Sequence, residues 1–310
     1  MDPAHQGVQP GPGPAGQPQL IWSAKAGGAI STSPILGDGT LFFGSDDGFL
    51  HALDARTGAD RWPPVNLGAS TGAAVFGNGV VAVADQNGVL HGITAETGVE
   101  RWHTEPVVVT TAPALAGGIV YITGTDHRAH GFDLETGAEV WSWTTTGDLG
   151  NALAIAADTA FIATRGGVIH AVALAGSKEL WSYQMLIPGP MGFPVVAGDV
   201  VLVNSRQEAG EPAGELYALD RTSGKLLWRF RGPSGLQITP GSVRDGILYA
   251  GTQAYGIYAL RVADGSRVWQ APGPRVFFPG TLVGDTLYLT SDTPPQIAAF
   301  RASDGSPLWA

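Results

Sequence analysis

Four histidines stand at near-equal spacing in this chain. His51, His91, His130 and His170 are separated by 40, 39 and 40 residues. Imidazole is the commonest metal ligand, so the series invites a zinc reading. One zinc ion, however, needs every ligand about 2 Å away. Residues recurring every forty positions belong to successive copies of one unit, and equivalent positions in stacked copies point apart. Later copies carry Tyr217, Tyr258 and Ala298 at the same place. The histidines are therefore expected to be structural, with no metal site. Nucleophilic chemistry fares no better. The chain has no cysteine, hence no disulfide, thiolate ligand or Cys nucleophile. No G-x-S-x-G precedes a helix and no Gly-rich loop opens one, which excludes a serine elbow and a phosphate cradle of the usual kind. No catalytic residue is expected.

The elements that carry these histidines repeat. "LHALDARTGADRW" (50–62) returns as "LHGITAETGVERW" (90–102) and "AHGFDLETGAEVW" (129–141). The tryptophans of the series are Trp22, Trp62, Trp102, Trp141, Trp181, Trp228, Trp269 and Trp309, spaced 40, 40, 39, 40, 47, 41 and 40 apart. Four residues before them stand Gly58, Gly98, Gly137, Gly224, Gly265 and Gly305, with Gly176 one place off. Within 29–62, "AISTSPIL", "TLFFGS" and "FLHALDA" are separated by Gly-bearing turns, and a last short strand carries Trp62. Four antiparallel strands repeated with a period of about forty residues make the blades of a β-propeller. Each Trp is expected to fill a seam between blades, worth roughly 4–6 kcal/mol for ~150–250 Å² as an upper estimate. Each Gly supplies the positive φ of the turn before the outer strand. Asp54, Asp133 and Asp220 are expected to fold back onto turn amides, while Thr94, Ala173, Arg261 and Arg301 replace them elsewhere. Trp143 lies off the period and is expected to matter less.

The expected fold is all-β: a propeller of four-stranded antiparallel blades, seven in number, with "QLIWSAK" around Trp22 as a clasp completing the last blade. An eight-bladed, C-terminally incomplete ring is the alternative and needs three more strands after Ala310. Residues 1–19 read as a Pro/Gly-rich tether and 20–310 as a single propeller domain. A formal charge of -10 with no Lys/Arg cluster argues against nucleic acid. No apolar run approaches the ~20 residues of a membrane span, and the start has no signal-peptide pattern. A cytoplasmic monomer is the default, with the cell envelope the expectation for a piece of a longer, membrane-anchored protein.

A candidate binding site lies on the turns between second and third strands. Aligning them gives Asp46, Gln86, Asp126, Arg165, Arg206, Gln253 and Asp292. Aspartates at such places cap turns, whereas guanidinium groups do so poorly. The copy with Arg206 also carries the longest insertion, "NSRQEAGEPAGEL" (204–216). Arg165, Arg206 and Gln253, with Asp126 and Asp46, are thus the candidate ligand-binding set for a small anion or an acidic peptide. The competing reading pairs the arginines with Glu208, Glu211 or Glu215 as surface salt bridges.

"GSDDGFLHALDARTGADRW" (44–62), "LYALDRTSGKLLW" (216–228) and "IYALRVADGSRVW" (257–269) resemble the PQQ-like, quinoprotein-type propeller repeat, and the resemblance covers residues 20–309. Its large dehydrogenases bind pyrroloquinoline quinone with calcium. Smaller members lack that chemistry, among them a lipoprotein of outer-membrane β-barrel assembly and sensor domains of actinobacterial kinases. The resemblance implies a non-catalytic binding, scaffolding or sensor module with no cofactor, whose partner is another protein. Its alternative is a quinone-dependent oxidoreductase.

Overall fold

A computed structural model describes residues 8–9, 16–69, 71–105, 112–186, 193–205, 214–232, 238–252, 256–273, 280–292 and 295–309. The apolar runs form seven four-stranded antiparallel sheets, the blades of a β-propeller, and the last of them gains a short fifth strand. Blades 1 to 7 span 35–66, 71–103, 114–144, 149–184, 195–231, 238–272 and 281–309. First and second strands are joined by tight turns with paired positive φ, as at Asn78 (47°) and Gly79 (71°). Asn-Gly suits such a turn because its twist matches that of the flanking strands.

The blades fall into two compact units, one of Leu20–Leu153 with Leu174–Lys178, the other of Asp2–Gln19, Ala154–Ala173 and Glu179–Ala310. In both, the core lies in the seams between neighbouring blades. In the first unit Phe42 and Leu50 of blade 1 pack with Val81, Val83 and Ile93 of blade 2. In the second, Leu202 and Leu216 of blade 5 pack with Leu248 and Leu260 of blade 6. Central strands are buried on both faces, so they read as continuous apolar runs such as "VVAVAD" (80–85) rather than alternating ones.

The repeated tryptophan has a defined seat, supplied by the next repeat. Trp62 Nε1 donates to Ala95 O at 3.0 Å, Trp102 to Leu134 O at 3.0 Å, and Trp228 to Val262 O at 2.8 Å. Its ring covers the glycine of the same turn. A Cβ added at Gly98, Gly137 or Gly265 would meet that ring at 2.8, 2.6 or 2.7 Å. These glycines also have φ near +72°, so two independent demands exclude a side chain there. The cross-strand partner is small too: Gly92 opposes Trp102 and Ala218 opposes Trp228. Gly58, Gly224 and Gly305 serve Trp22, Trp181 and Trp269 in the same way.

Three expectations need correction. In blade 1 the fourth strand is Val65–Asn66, and Trp62 precedes it. Segment 18–26 forms no strand, so it is not a clasp in the last blade. The outer place there is taken by Pro307–Trp309, whose Trp309 pairs with Ala299. Trp22 instead sits over Gly58 and donates to Ala55 O at 3.1 Å. It is Val8–Gln9, within the stretch read as a tether, that joins the last sheet. These two residues run parallel to Leu282 and Val283 on the open inner edge. Finally, Trp143 is as buried as Trp102, each 9% exposed. Two residues after the period Trp, it occupies the second inward position of the same outer strand.

Candidate functional site

On the turns between second and third strands, Asp46, Gln86, Asp126 and Arg165 are all exposed. Asp46 Oδ1 accepts the Ser31 hydroxyl at 3.0 Å. Asp126 Oδ1 accepts the Arg128 amide at 3.1 Å, and its Oδ2 lies 3.1 Å from His130 Nε2. Among the described residues no carboxylate lies within ion-pair reach of Arg165. Arg206, Gln253, Glu208 and Glu211 fall outside the described residues. Asp292 ends the second strand of blade 7.

The recurrent turn cap sits one residue earlier than the aligned position. Asp85 Oδ1 accepts Val89 N at 2.8 Å, and Thr164 Oγ1 accepts Val168 N at 3.1 Å. Ser205 Oγ accepts Glu215 N at 2.9 Å, and Thr252 Oγ1 accepts Gly256 N at 3.2 Å. All four caps are buried, because the first residue of the turn still points into the blade. Of the residues beyond them, Gln86 and Arg165 are left exposed on the turn.

The histidines are held within their own blades. Each lies on a third strand, and three of them meet an acid of the fourth strand nine positions on. His91 Nδ1 is 2.9 Å from Glu100 Oε1, His130 Nδ1 is 2.9 Å from Glu139 Oε1, and His170 Nδ1 is 3.0 Å from Glu179 Oε2. His51 stacks on Phe43 with ring centroids 4.8 Å apart. Burial holds its imidazole below its ordinary value, against the opposing charges of Asp47 and Asp60. Tyr217 and Tyr258 fill the same place with aromatic contacts to Tyr183 and Phe230.

The turns before the outer strands are capped as the sequence predicts. Asp54 Oδ1 accepts the Arg56 and Thr57 amides, each at 3.0 Å. Asp133 accepts those of Glu135 and Thr136, and Asp220 that of Ser223. Where Arg261 and Arg301 replace the Asp, Asp264 and Asp304 cap from within the turn, onto Ser266 and Ser306. Hydrogen bonds from the neighbouring Thr or Ser hydroxyl and backbone amides draw all five carboxyls below the usual range.

One polar cluster went unread in the sequence. Glu215 begins the third strand of blade 5, with its side chain only 6% exposed. Arg231 Nε and Nη2 donate to its Oε1 at 3.0 and 2.7 Å, and Arg229 Nη1 donates to Oε2 at 3.1 Å. Burial raises this carboxyl, but hydrogen bonds from Tyr217 and Arg231 and the two guanidinium charges outweigh it and leave it lowered. Glu215 is thus committed to the outer strand of its own blade.

A family model described as outer membrane protein assembly factor BamB matches residues 64–189, 128–277 and 165–310. The chain is 27% identical over 220 residues to the outer membrane protein assembly factor BamB of Burkholderia pseudomallei (strain K96243), covering 64% of this chain and 54% of that protein. It is 29% identical over 213 residues to lupanine 17-hydroxylase [cytochrome c] of Pseudomonas sp, covering 62% of this chain and 29% of that enzyme. The chain thus spans about half the length of the first relative and under a third of the second. The crystal structure of BamB from Moraxella catarrhalis superposes with a TM-score of 0.73 at 22% identity, over 88% of this chain and 86% of that one. The repeat, the seven blades and the matched span agree: the chain belongs to the PQQ-like repeat family whose model is described as outer membrane protein assembly factor BamB.

Proposed function

We propose that the chain is a non-catalytic propeller that binds or scaffolds other proteins. The observation that carries this reading is where its recurrent titratable groups go. Three of the third-strand histidines face acids of their own fourth strands, and the recurrent aspartates cap turns. That chemistry holds blades together, while the outward turn residues vary from copy to copy, as recognition surfaces do. Relatives named for outer-membrane protein assembly support such a role. Their name favours an envelope setting over the cytoplasmic default. No helix among the described residues is long and apolar enough to cross a membrane.

The second reading, a pyrroloquinoline-quinone oxidoreductase, draws on the lupanine hydroxylase likeness. Calcium beside the quinone asks for six to eight oxygen ligands, carboxylates prominent among them. Among the described residues no three His, Asp or Glu side chains group as a metal would need, and a calcium site there would have to draw on amide and backbone oxygens. Titration with pyrroloquinoline quinone and Ca²⁺, followed by dye-linked alcohol oxidation, tests the choice. No turnover is expected, and turnover at enzyme rates of roughly 1–10³ s⁻¹ overturns the binding reading.

Within the binding role, the turn face around Arg165 and Arg206 takes a small anion or an acidic peptide, and the chain acts as a monomer. The exposure of Arg165 supports this site. Thermal shift with anionic ligands should show stabilisation in the parent that is lost in both Arg165→Ala and Arg206→Ala. Equal stabilisation of all three proteins places the site elsewhere.

A further inference from the structure

The outermost strand of blade 5, Leu226–Arg231, pairs on one side with Glu215–Asp220 and ends its sheet on the other. Its free edge is a row of unpaired backbone donors and acceptors, which most sheets guard with proline, charge or brevity. Other blades here are guarded. The outer strand of blade 1 has two residues, that of blade 6 ends in Pro272, and that of blade 7 starts at Pro307. Those of blades 2, 3 and 4 begin with Glu100, Glu139 and Glu179. "LLWRFR" has no proline and no acid, and its only charges, Arg229 and Arg231, repel a basic strand while admitting an acidic one. Trp228 and Phe230 turn inward onto the seam cluster. Leu227, Arg229 and Arg231 alternate on the outward face, and Leu227 is 48% exposed.

The arginines are held in place rather than waving. Glu215 grips both, and one buried carboxylate against two guanidiniums leaves a fixed positive charge at this edge. The chain as a whole carries -10. Only three of the hydrogen-bond donors of the two guanidiniums are used on Glu215, and a guanidinium offers five.

We propose that this edge docks an extended acidic segment of a partner protein. The segment adds to blade 5 as a fifth strand, with carboxylates at alternate positions over Arg229 and Arg231 and an apolar residue on Leu227. Backbone pairing supplies the affinity, and the Leu-Arg-Arg face supplies the choice of partner. This deepens the binding role proposed above by naming one surface and one class of partner, and it is separate from the Arg165 turn face.

The test uses the intact chain and a fluorescein-labelled eight-residue peptide of alternating Glu and Val, read by fluorescence polarisation. Saturable binding is expected, weakened about tenfold or more in an Arg229→Gln/Arg231→Gln protein and unchanged in Arg56→Gln, an exposed arginine of a blade 1 turn. The same peptide N-methylated at alternate amides keeps its charge but cannot pair as a strand. It should lose binding to the unaltered protein, which covers the case in which the double variant misfolds. No saturable binding, equal binding of the N-methylated peptide or of a Lys/Val peptide, or loss in Arg165→Ala alone overturns the proposal. Loss in Arg165→Ala alone leaves the binding role intact and moves it to the turn face, whereas quinone-dependent turnover defeats that role independently.

Discussion

Trp141 and Ser177 are mismatched. Register places Ser177 where Gly58 and Gly137 lie in their own turns, since Ala173 aligns with Asp133 and Trp181 with Trp141. Ser177 holds a left-handed φ of 53°. At the equivalent glycines of other copies an added Cβ falls within 2.8 Å of the covering tryptophan. With a real Cβ there, Trp141 cannot take the usual seat. Its ring lies edge-on to Tyr121 at 73°, whereas Trp181, Trp269 and Trp309 are tilted at 44–52° to their blade partners. Its buried Nε1 has no acceptor. Gly176, the glycine nearest in sequence, has nothing within 4 Å of its Cβ direction.

Ser177→Gly should therefore stabilise the protein. It relieves a left-handed non-glycine residue and lets Trp141 reach the Leu174 carbonyl, together worth about 1–2 kcal/mol. A higher melting temperature with slowed exchange of the Trp141 indole proton is expected. An unchanged or lower melting temperature refutes the mismatch. Gly137→Ser should act the other way, costing roughly 1–3 kcal/mol through overpacking against Trp102.

Trp102→Ala should cost ~3–5 kcal/mol, as large-to-small changes at buried aromatics do. Since Trp143 is equally buried, Trp143→Ala should cost a comparable amount in denaturant unfolding. A loss under half that of Trp102→Ala would mean that position relative to the repeat outweighs burial.

Trp22→Ala should destabilise more than removal of residues 1–17. The first empties the seat over Gly58, whereas the second costs, among the described residues, the short pairing of Val8–Gln9. Melting curves of the two proteins decide the order, with a loss of ~2–4 kcal/mol expected for Trp22→Ala.

Acid should unfold the chain sooner than its hydrophobic core suggests. Asp54, Asp133, Asp220, Asp264 and Asp304 all have carboxyls lowered in the folded state. A lowered folded pKa gives stability that is complete above the unfolded value of about 3.9 and lost as pH falls through the folded one. His51, lowered by burial, acts in the same direction, beginning below about pH 6.5. Melting temperature should fall stepwise with acidification, and Asp133→Asn should flatten the lower step. A parent profile with no decline below pH 4 rules this out.

The fold was legible because its signals repeat. Seven copies of Thr-Gly-x-x-x-Trp-like turns average out local ambiguity, and the tight Asn-Gly and Asp-Gly turns mark hairpins. The binding surface was less legible because it is what does not repeat. Aligning the turns at Asp46 and Asp126 overlooked the caps one residue earlier, since only the direction of the side chain separates the two. A usable sign was overlooked as well: Asp60, Glu100, Glu139 and Glu179 each follow a histidine by nine residues, and in the three glutamate copies the register makes the two diagonal neighbours across the outer turn. Glu215 and its arginines lie 14 and 16 residues apart, and only the strand register brings them together.

Because Trp22, Trp62, Trp102, Trp181, Trp228 and Trp269 are each received by the turn one repeat further on, the joint belongs to no single copy. Excising residues 63–102 would remove one whole period and leave Trp62 facing the Gly137 turn, with Leu134 O as its acceptor. In genetic terms, gain or loss of one period conserves every joint that remains. Unequal crossing-over between copies can then change the number of blades without inventing a new interface. The copy containing Ser177 is the one whose duplication would also multiply a faulty joint.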